Sequence, residues 1–491
     1  MLRRCVLGLV ALAFLGGSGW AAGKDSVAIG LRLEPPTLDP TTQPAAAVSE
    51  ITWQTIFEGL TRVDEKDHIL PSLAESWSTE DAKTYTFKLR PGVTFHDGAP
   101  LTSAAVKFTF ERDAGAGSTN KRKSVFANMA AIEVPDPLTV RIVLKEANGL
   151  LPYFLAEAPA AILSEKTAAG DPLKPVGTGP YRFVDWVRGD SVTLEKYPGY
   201  RDAAKVAIAH ATIRFIADES AQVAALLAGD IDYLTQLGAL ETVDRFKGDP
   251  RFQVLIGSTE GETFVGMNNK RAPFTDLRMR QAVNYAIDRK AIIDGAMAGF
   301  GHPIASHATT VNPYYLDLTA KYPHDPAKAK ALLAEAGFPN GLDVVMKLPP
   351  QTYARRSGEI VAQQLGDVGM RTTIEPIEWA QWLDIVFKQK NYQLTVIMMP
   401  EPLDIFMYAD PNYFFQYDNA DFRAILQRAQ ATPDDSERKR LFQEAQKKLA
   451  EDAASAWMFD FPHVGIARAG LNGVWKDQPM PMYDIAAMSW E

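Results

Sequence analysis

Few residues of this chain have the types and spacing that catalysis would require. Phe95-His96-Asp97-Gly98 sets an imidazole beside a carboxylate, as a general base and its orienting acid would be, but a surface turn accounts for the same residues. Gly177-Thr178-Gly179 is a bare G-x-G, too little for a loop that cradles phosphates. The 7 histidines form no His-Glu-x-x-His and no other metal-ligand spacing. No Gly-x-Ser-x-Gly elbow and no phosphate-binding loop occurs. Cys5 is the only cysteine, and it lies in an N-terminal apolar segment whose removal would leave no thiolate nucleophile. Catalytic residues, metal ligands and cofactors are therefore not expected. A different chemistry is open to the aromatic residues Trp379, Trp382, Phe406, Tyr408, Tyr413, Phe414 and Phe415. Such rings stack on a ligand's apolar body or on a sugar, or else build core.

The elements that must position these residues follow from composition and periodicity. Arg3 and Arg4 precede an apolar run over 5–15 and small residues over 16–23. That order reads as a secretory signal peptide, residues 1–22, cleaved near Ala21 or Ala22. The run is too short to span a bilayer, which takes about 20 apolar residues. A lipid anchor would need a cysteine after the run and Cys5 stands at its start, so the expected product is soluble and periplasmic. With 491 residues the chain should hold more than one domain. Its formal charge of −9, or −11 without Arg3 and Arg4, argues against a nucleic-acid partner, which needs a basic face.

Residues 84–90 and 139–145 alternate apolar and polar side chains, as half-exposed strands do. Pro91-Gly92 and Asp97-Gly98 punctuate them as turns. From about Ala217 the pattern becomes helix followed by strand. Helices are expected over 220–227, 355–368, 379–390, 421–429 and 434–451, and strands over 231–233, 343–348, 371–377, 392–399 and 456–467. Asp325-Pro326 is an N-cap with a proline at the first helical position, and Gly337 closes the helix that follows. Alternating helices and strands imply a three-layer α/β lobe. No Gly/Ser linker separates two halves, so two lobes should lie against each other, with a cleft between them as the natural ligand site.

Several blocks resemble the dipeptide/oligopeptide/nickel-binding family of ABC-transporter substrate-binding proteins (solute-binding protein family 5). They are Glu34-Pro35-Pro36-Thr37-Leu38-Asp39-Pro40; Leu73-Ala74-Glu75-Ser76-Trp77 continued through residues 84–98; Pro175-Val176-Gly177-Thr178-Gly179-Pro180-Tyr181; residues 276–288; and the helix over 328–338. The resemblance implies a two-lobed, periplasmic-binding-protein-like (type II) α/β fold of class C. Lobe I would hold 24–265 and 465–491, with an extra subdomain at 50–175, and lobe II would hold 270–460. The chain would cross between lobes near 265–269 and 461–465. The implied function is capture of a small peptide or peptide-like solute in the interlobe cleft by a monomer that hands it to the transmembrane subunits of an ABC permease. The same fold and role with an oligosaccharide, an opine-like conjugate or a metal chelate is the alternative, and a periplasmic peptide or amide hydrolase is a distant one.

By the same resemblance, Arg355 and Arg356 match the helix position from which dipeptide binders offer an arginine to the ligand carboxylate, where a planar fork binds twice. The ammonium partner would come from the loop after the strand at 392–399, with Asp404 favoured over Asp410 and Glu401 as a third candidate. Trp379 matches a family position near the ligand, Tyr408 stands in the same aromatic loop, and Asn268 lies near the first crossing. Ligand contacting both lobes would shift the population from open to closed.

Overall fold

Two long strands, Phe252–Met267 and Ser455–Arg468, pair antiparallel and organise the molecule. The computed structural model that shows this describes residues 24–42, 45–170 and 173–491, so the expected signal peptide lies outside the described residues. Both strands are rich in aromatic and β-branched residues and are buried along most of their length, as central strands are. Toward one side the sheet continues through Tyr233–Leu234, Ser26–Leu31, His210–Phe215, Ser191–Lys196 and Tyr181–Val187. Toward the other it continues through Leu394–Met399, Leu342–Leu348 and Met370–Pro376. One 10-stranded sheet thus runs through both lobes, and the two-lobed α/β expectation is met.

The ladder between the long strands shifts register twice, at Thr263/Phe264 and, more widely, between Ser258 and Glu262. Ser258 stands opposite Pro462, Glu262 stands opposite Asp460, and residues 259–261 bulge between them. Pro462 has no N–H to give, and a bulge both re-aims side chains and concentrates twist. This break precedes the 265–269 stretch, which continues as regular strand to Met267 and pairs there with Leu394–Met399.

In the second lobe the helices are where periodicity places them. Asp276, Asp288 and Asp325 accept backbone N–H bonds and start Leu277–Ala286, Arg289–Ala296 and Pro326–Glu335. Gly337 closes the last of these at φ 97°. Thr352–Asp367 lies on the strands and buries Ala354, Val361 and Leu365. The motif at 276–288 also binds the helices to a long strand, since Asn284 Nδ2 donates to the Ser455 carbonyl at 3.3 Å. The helix expected over 379–390 is instead one α-turn, Trp379–Gln381, followed by a π-helical stretch, Trp382–Lys388. The wider π-turn carries Trp382 onto the sheet, where its indole donates to Thr395 Oγ1 at 3.0 Å.

The first lobe carries a separate 4-stranded antiparallel sheet of Ala74–Ser78, Thr84–Leu89, Thr139–Leu144 and Met129–Asp136. The turn at 95–98 does more than reverse the chain. His96 Nδ1 accepts from Gly177 N at 3.3 Å, and its Nε2 bonds the Gly179 carbonyl at 3.0 Å. Burial, against the pull of that carbonyl, pushes the imidazole down to about 4, so the ring is a neutral clamp between turn and loop. Gly177 and Gly179 lie against backbone: a Cβ on either would collide with the carbonyl oxygens of Ile56 or Thr55. That contact explains the bare G-x-G without a nucleotide.

Replacing Gly177 with Ala should therefore destabilise the protein by about 1–3 kcal/mol, the range for overpacking. Gly117→Ala, where a Cβ meets nothing within 4 Å, should be near neutral. Urea titration of both variants checks this, and equal midpoints would refute the account.

Candidate ligand-binding site

The bulge at 259–261 forms the floor of a cavity of about 270 Å³ between the lobes. Helix Ala46–Thr52 and its successor Trp53 supply one wall with Ser49 and Glu50. Pro400, Glu401 and Pro402, just after strand Leu394–Met399, supply the facing wall. The C-terminal stretch adds Gln478, Met480 and Tyr483, and Lys121 stands at the mouth. The lining is predominantly apolar, with Trp53, Met398, Phe461, Met480 and several prolines around a few polar groups, the usual make-up of a small-molecule site.

Those polar groups are unequally satisfied. Lys121 Nζ meets Glu401 Oε2 at 2.5 Å across the two walls. Arg122 holds Glu157 with Nε and Nη2, each at 2.5 Å. Glu260 and Glu50 line the same cavity without an ion-pair partner among the described residues. Glu260 Oε2 accepts from Asn312 at 3.2 Å and Thr309 at 3.4 Å, while its Oε1 has no hydrogen-bond partner. Burial raises the Glu260 carboxyl, and the Asn312 and Thr309 bonds offset part of that. Among the described residues, Glu50 accepts only a 3.4 Å bond from Tyr483 Oη. Burial pushes it up to about 7, against the lowering effect of that hydroxyl. Two donors in the lining, Trp53 Nε1 and Gln478 Nε2, are buried without acceptors. Buried groups of this kind carry a desolvation penalty that a partner removes. The cavity therefore offers two carboxylates to a cation and two N–H donors, with a lysine nearby, to an acceptor.

Of the residues singled out from sequence, Glu401 lines this cavity. Asp404 is buried below it, 3% exposed, in contact with His307. Asp410 is exposed and caps its own turn through Asn412 N at 2.8 Å. Tyr408 is wholly buried, stacked on Phe415 at 3.9 Å and bonded to Ser455 Oγ. Arg355 is half-buried, its Nε directed to the Pro349 carbonyl at 3.4 Å, and Arg356 is exposed. Trp379 is 41% exposed and stacks on Trp382 at 5.1 Å. Asn268 spends its amide on the Lys390 carbonyl and on Lys270 N. None of these last five lines the cavity; the crowded aromatic residues around them are largely core. Sequence reasoning missed Glu50, Trp53, Lys121, Glu260 and Gln478. Glu260 alone carried a signal, as one of two carboxylates, with Glu262, in a long and largely buried strand.

The profile of the bacterial extracellular solute-binding proteins, family 5 Middle, matches residues 68–453. The glutathione-binding protein GsiB of Pectobacterium atrosepticum is 30% identical over 477 residues, spanning 92% of this chain and 90% of that protein. Its Escherichia coli K12 counterpart is 31% identical over 387 residues, 76% of this chain and 74% of that one. The structure of AgaA in complex with agropinic acid, from A. tumefaciens R10, superposes with a TM-score of 0.77 at 26% identity, covering 95% of this chain and 99% of that chain. HbpA2 from Haemophilus parasuis shares the fold, with a TM-score of 0.86 at 22% identity over 95% and 100% of the two chains. A sheet that runs through two lobes, a cavity where they meet and a match across most of the chain place this protein in family 5 of the bacterial extracellular solute-binding proteins.

Proposed function

We propose that this protein captures a small peptide or peptide-like solute bearing a free ammonium group and delivers it to the transmembrane subunits of an ABC importer. It would work as a periplasmic monomer after export. The observation that carries the reading is a pair of carboxylates, Glu260 buried and Glu50 half-buried, that line one cavity without an ion-pair partner among the described residues. An ammonium group beside either carboxylate would form charge-assisted bonds. The solute's carboxylate or carbonyl groups then meet Trp53 Nε1, Gln478 Nε2 and Lys121. One relative is named for glutathione and another was solved with agropinic acid, which supports a small amino-acid conjugate as cargo. The acidic lining favours zwitterionic or cationic members of that class over anionic ones.

Native mass spectrometry of the purified protein, followed by denaturing release, identifies the co-purified solute. Calorimetry with a free peptide and its N-acetylated form then tests the ammonium contact. Loss of a hydrogen bond to a charged group, about 1.5–3 kcal/mol, should weaken binding roughly tenfold or more. Equal affinities, or release of a sugar without an amine, would overturn the proposal.

Glu50 adds a pH dependence. It faces Tyr483 and shares the cavity with Lys121, Glu157 (held by Arg122), Glu260 and Glu401. Its folded value of about 7 lies above its ordinary 4.5. Without solute, the folded state holds a proton that the unfolded state has lost, so stability falls as pH rises through that window. An ammonium ligand pairs with the ionised form, so affinity should instead rise from about pH 6 to about pH 8. Glu50→Gln should flatten both trends in thermal melts and titrations, and an unchanged slope would exclude Glu50 as their source.

A further inference from the structure

Below the solute cavity lies a second group of side chains that the binding role leaves unexplained. Glu262, His307 and Asp404 each present one ligand atom, and these atoms lie within 4.8 Å of one another. The residues are 1%, 5% and 3% exposed, and none lines the solute cavity. They come from three separate parts of the chain: the long strand Phe252–Met267, the irregular segment after helix Arg289–Ala296, and the turn Asp404–Ala409.

Their contacts are incomplete. His307 Nε2 bonds Asp404 Oδ1. Glu262 Oε1 and Asp404 Oδ2 are buried with no hydrogen-bond partner among the described residues. His307 is the only ion-pair partner of Asp404 among the described residues, and Glu262 has none. Two carboxylates buried together without an arginine or lysine repel each other and lose their hydration. One imidazole and two carboxylates form the mixed nitrogen–oxygen set that first-row divalent ions accept, and zinc in particular takes His nitrogen with Asp or Glu oxygen.

We propose that Glu262, His307 and Asp404 bind a resident divalent metal ion, of the zinc or manganese type, distinct from any cargo. Its place gives it a job. Asp404 follows Leu403, which is held at φ 59° in the left-handed region, an unfavourable conformation for a residue with a side chain. Asp404 is three residues beyond Glu401, whose carboxylate meets Lys121 at the cavity mouth. An ion holding Asp404 to the long strand fixes the loop from which Glu401 reaches across.

The test uses tag-free, full-length protein stripped with chelator, then equilibrated with zinc or manganese ions alone and desalted. Elemental analysis should find about one ion per chain, with a higher thermal midpoint than the stripped form. His307→Gln, Glu262→Gln and Asp404→Asn should each lose at least tenfold in metal affinity. Each variant also removes a charge or a donor from a crowded site, so the stripped variants should remain folded by circular dichroism, and any one that folds suffices. No retained ion in folded wild type, or equal retention by the folded variants, would overturn the proposal and leave a proton shared between the carboxylates as the arrangement. No solute enters the measurement, so its outcome is independent of the cargo assignment.

Discussion

The antiparallel pairing of Phe252–Met267 with Ser455–Arg468 is the constraint from which the rest follows. Each lobe completes its sheet on one of these strands: Leu394–Met399 on the first and Tyr233–Leu234 on the second. A continuous ladder resists bending, because every bend stretches hydrogen bonds. The interruption at 259–261 is where bonds are already absent and where rotation of one lobe against the other strains least. The same residues form the floor of the cavity. The break in the ladder and the floor of the cavity therefore coincide in one short stretch of backbone, where Thr259 Oγ1 donates to the Phe461 carbonyl at 2.9 Å.

Electrostatics make the interior of the cleft unusual. Cavities for neutral solutes need few charges, yet here Glu50 and Glu260 face inward and Glu262 and Asp404 lie beneath them. Burial disfavours the ionised forms of Glu50, Glu260 and Glu262. Isolated buried charges oppose folding. Under the two proposals above, a cation beside these carboxylates would offset that cost.

Much of the scaffold was legible in the sequence. Asp325-Pro326 marked a helix start, residues 84–90 alternated as a strand does, and the alternation of helices and strands over 343–467 gave the second lobe. Local signals report local physics, and caps and periodicity are local. The cavity was much less legible because its walls come from stretches near 50, 121, 260, 400 and 480, and no short-range pattern states which of them meet. The signature turn at 95–98 and the glycines at 177 and 179 identify the family through a tight backbone contact. That contact is indifferent to cargo, so motifs that were easy to read carried little information about the site.

The ion pair between Lys121 and Glu401 joins the two walls of the cleft directly. Both side chains are about 30% exposed, so the pair contributes about 0–1 kcal/mol and weakens with salt. Even that modest amount raises the share of solute-free molecules whose lobes already touch by up to roughly fivefold. A solute that binds only the closed form sees its apparent affinity scaled by that share. Under the proposed binding role, two residues at the rim would help set the concentration at which solute is captured, and ionic strength would tune it as well as the fit of the solute.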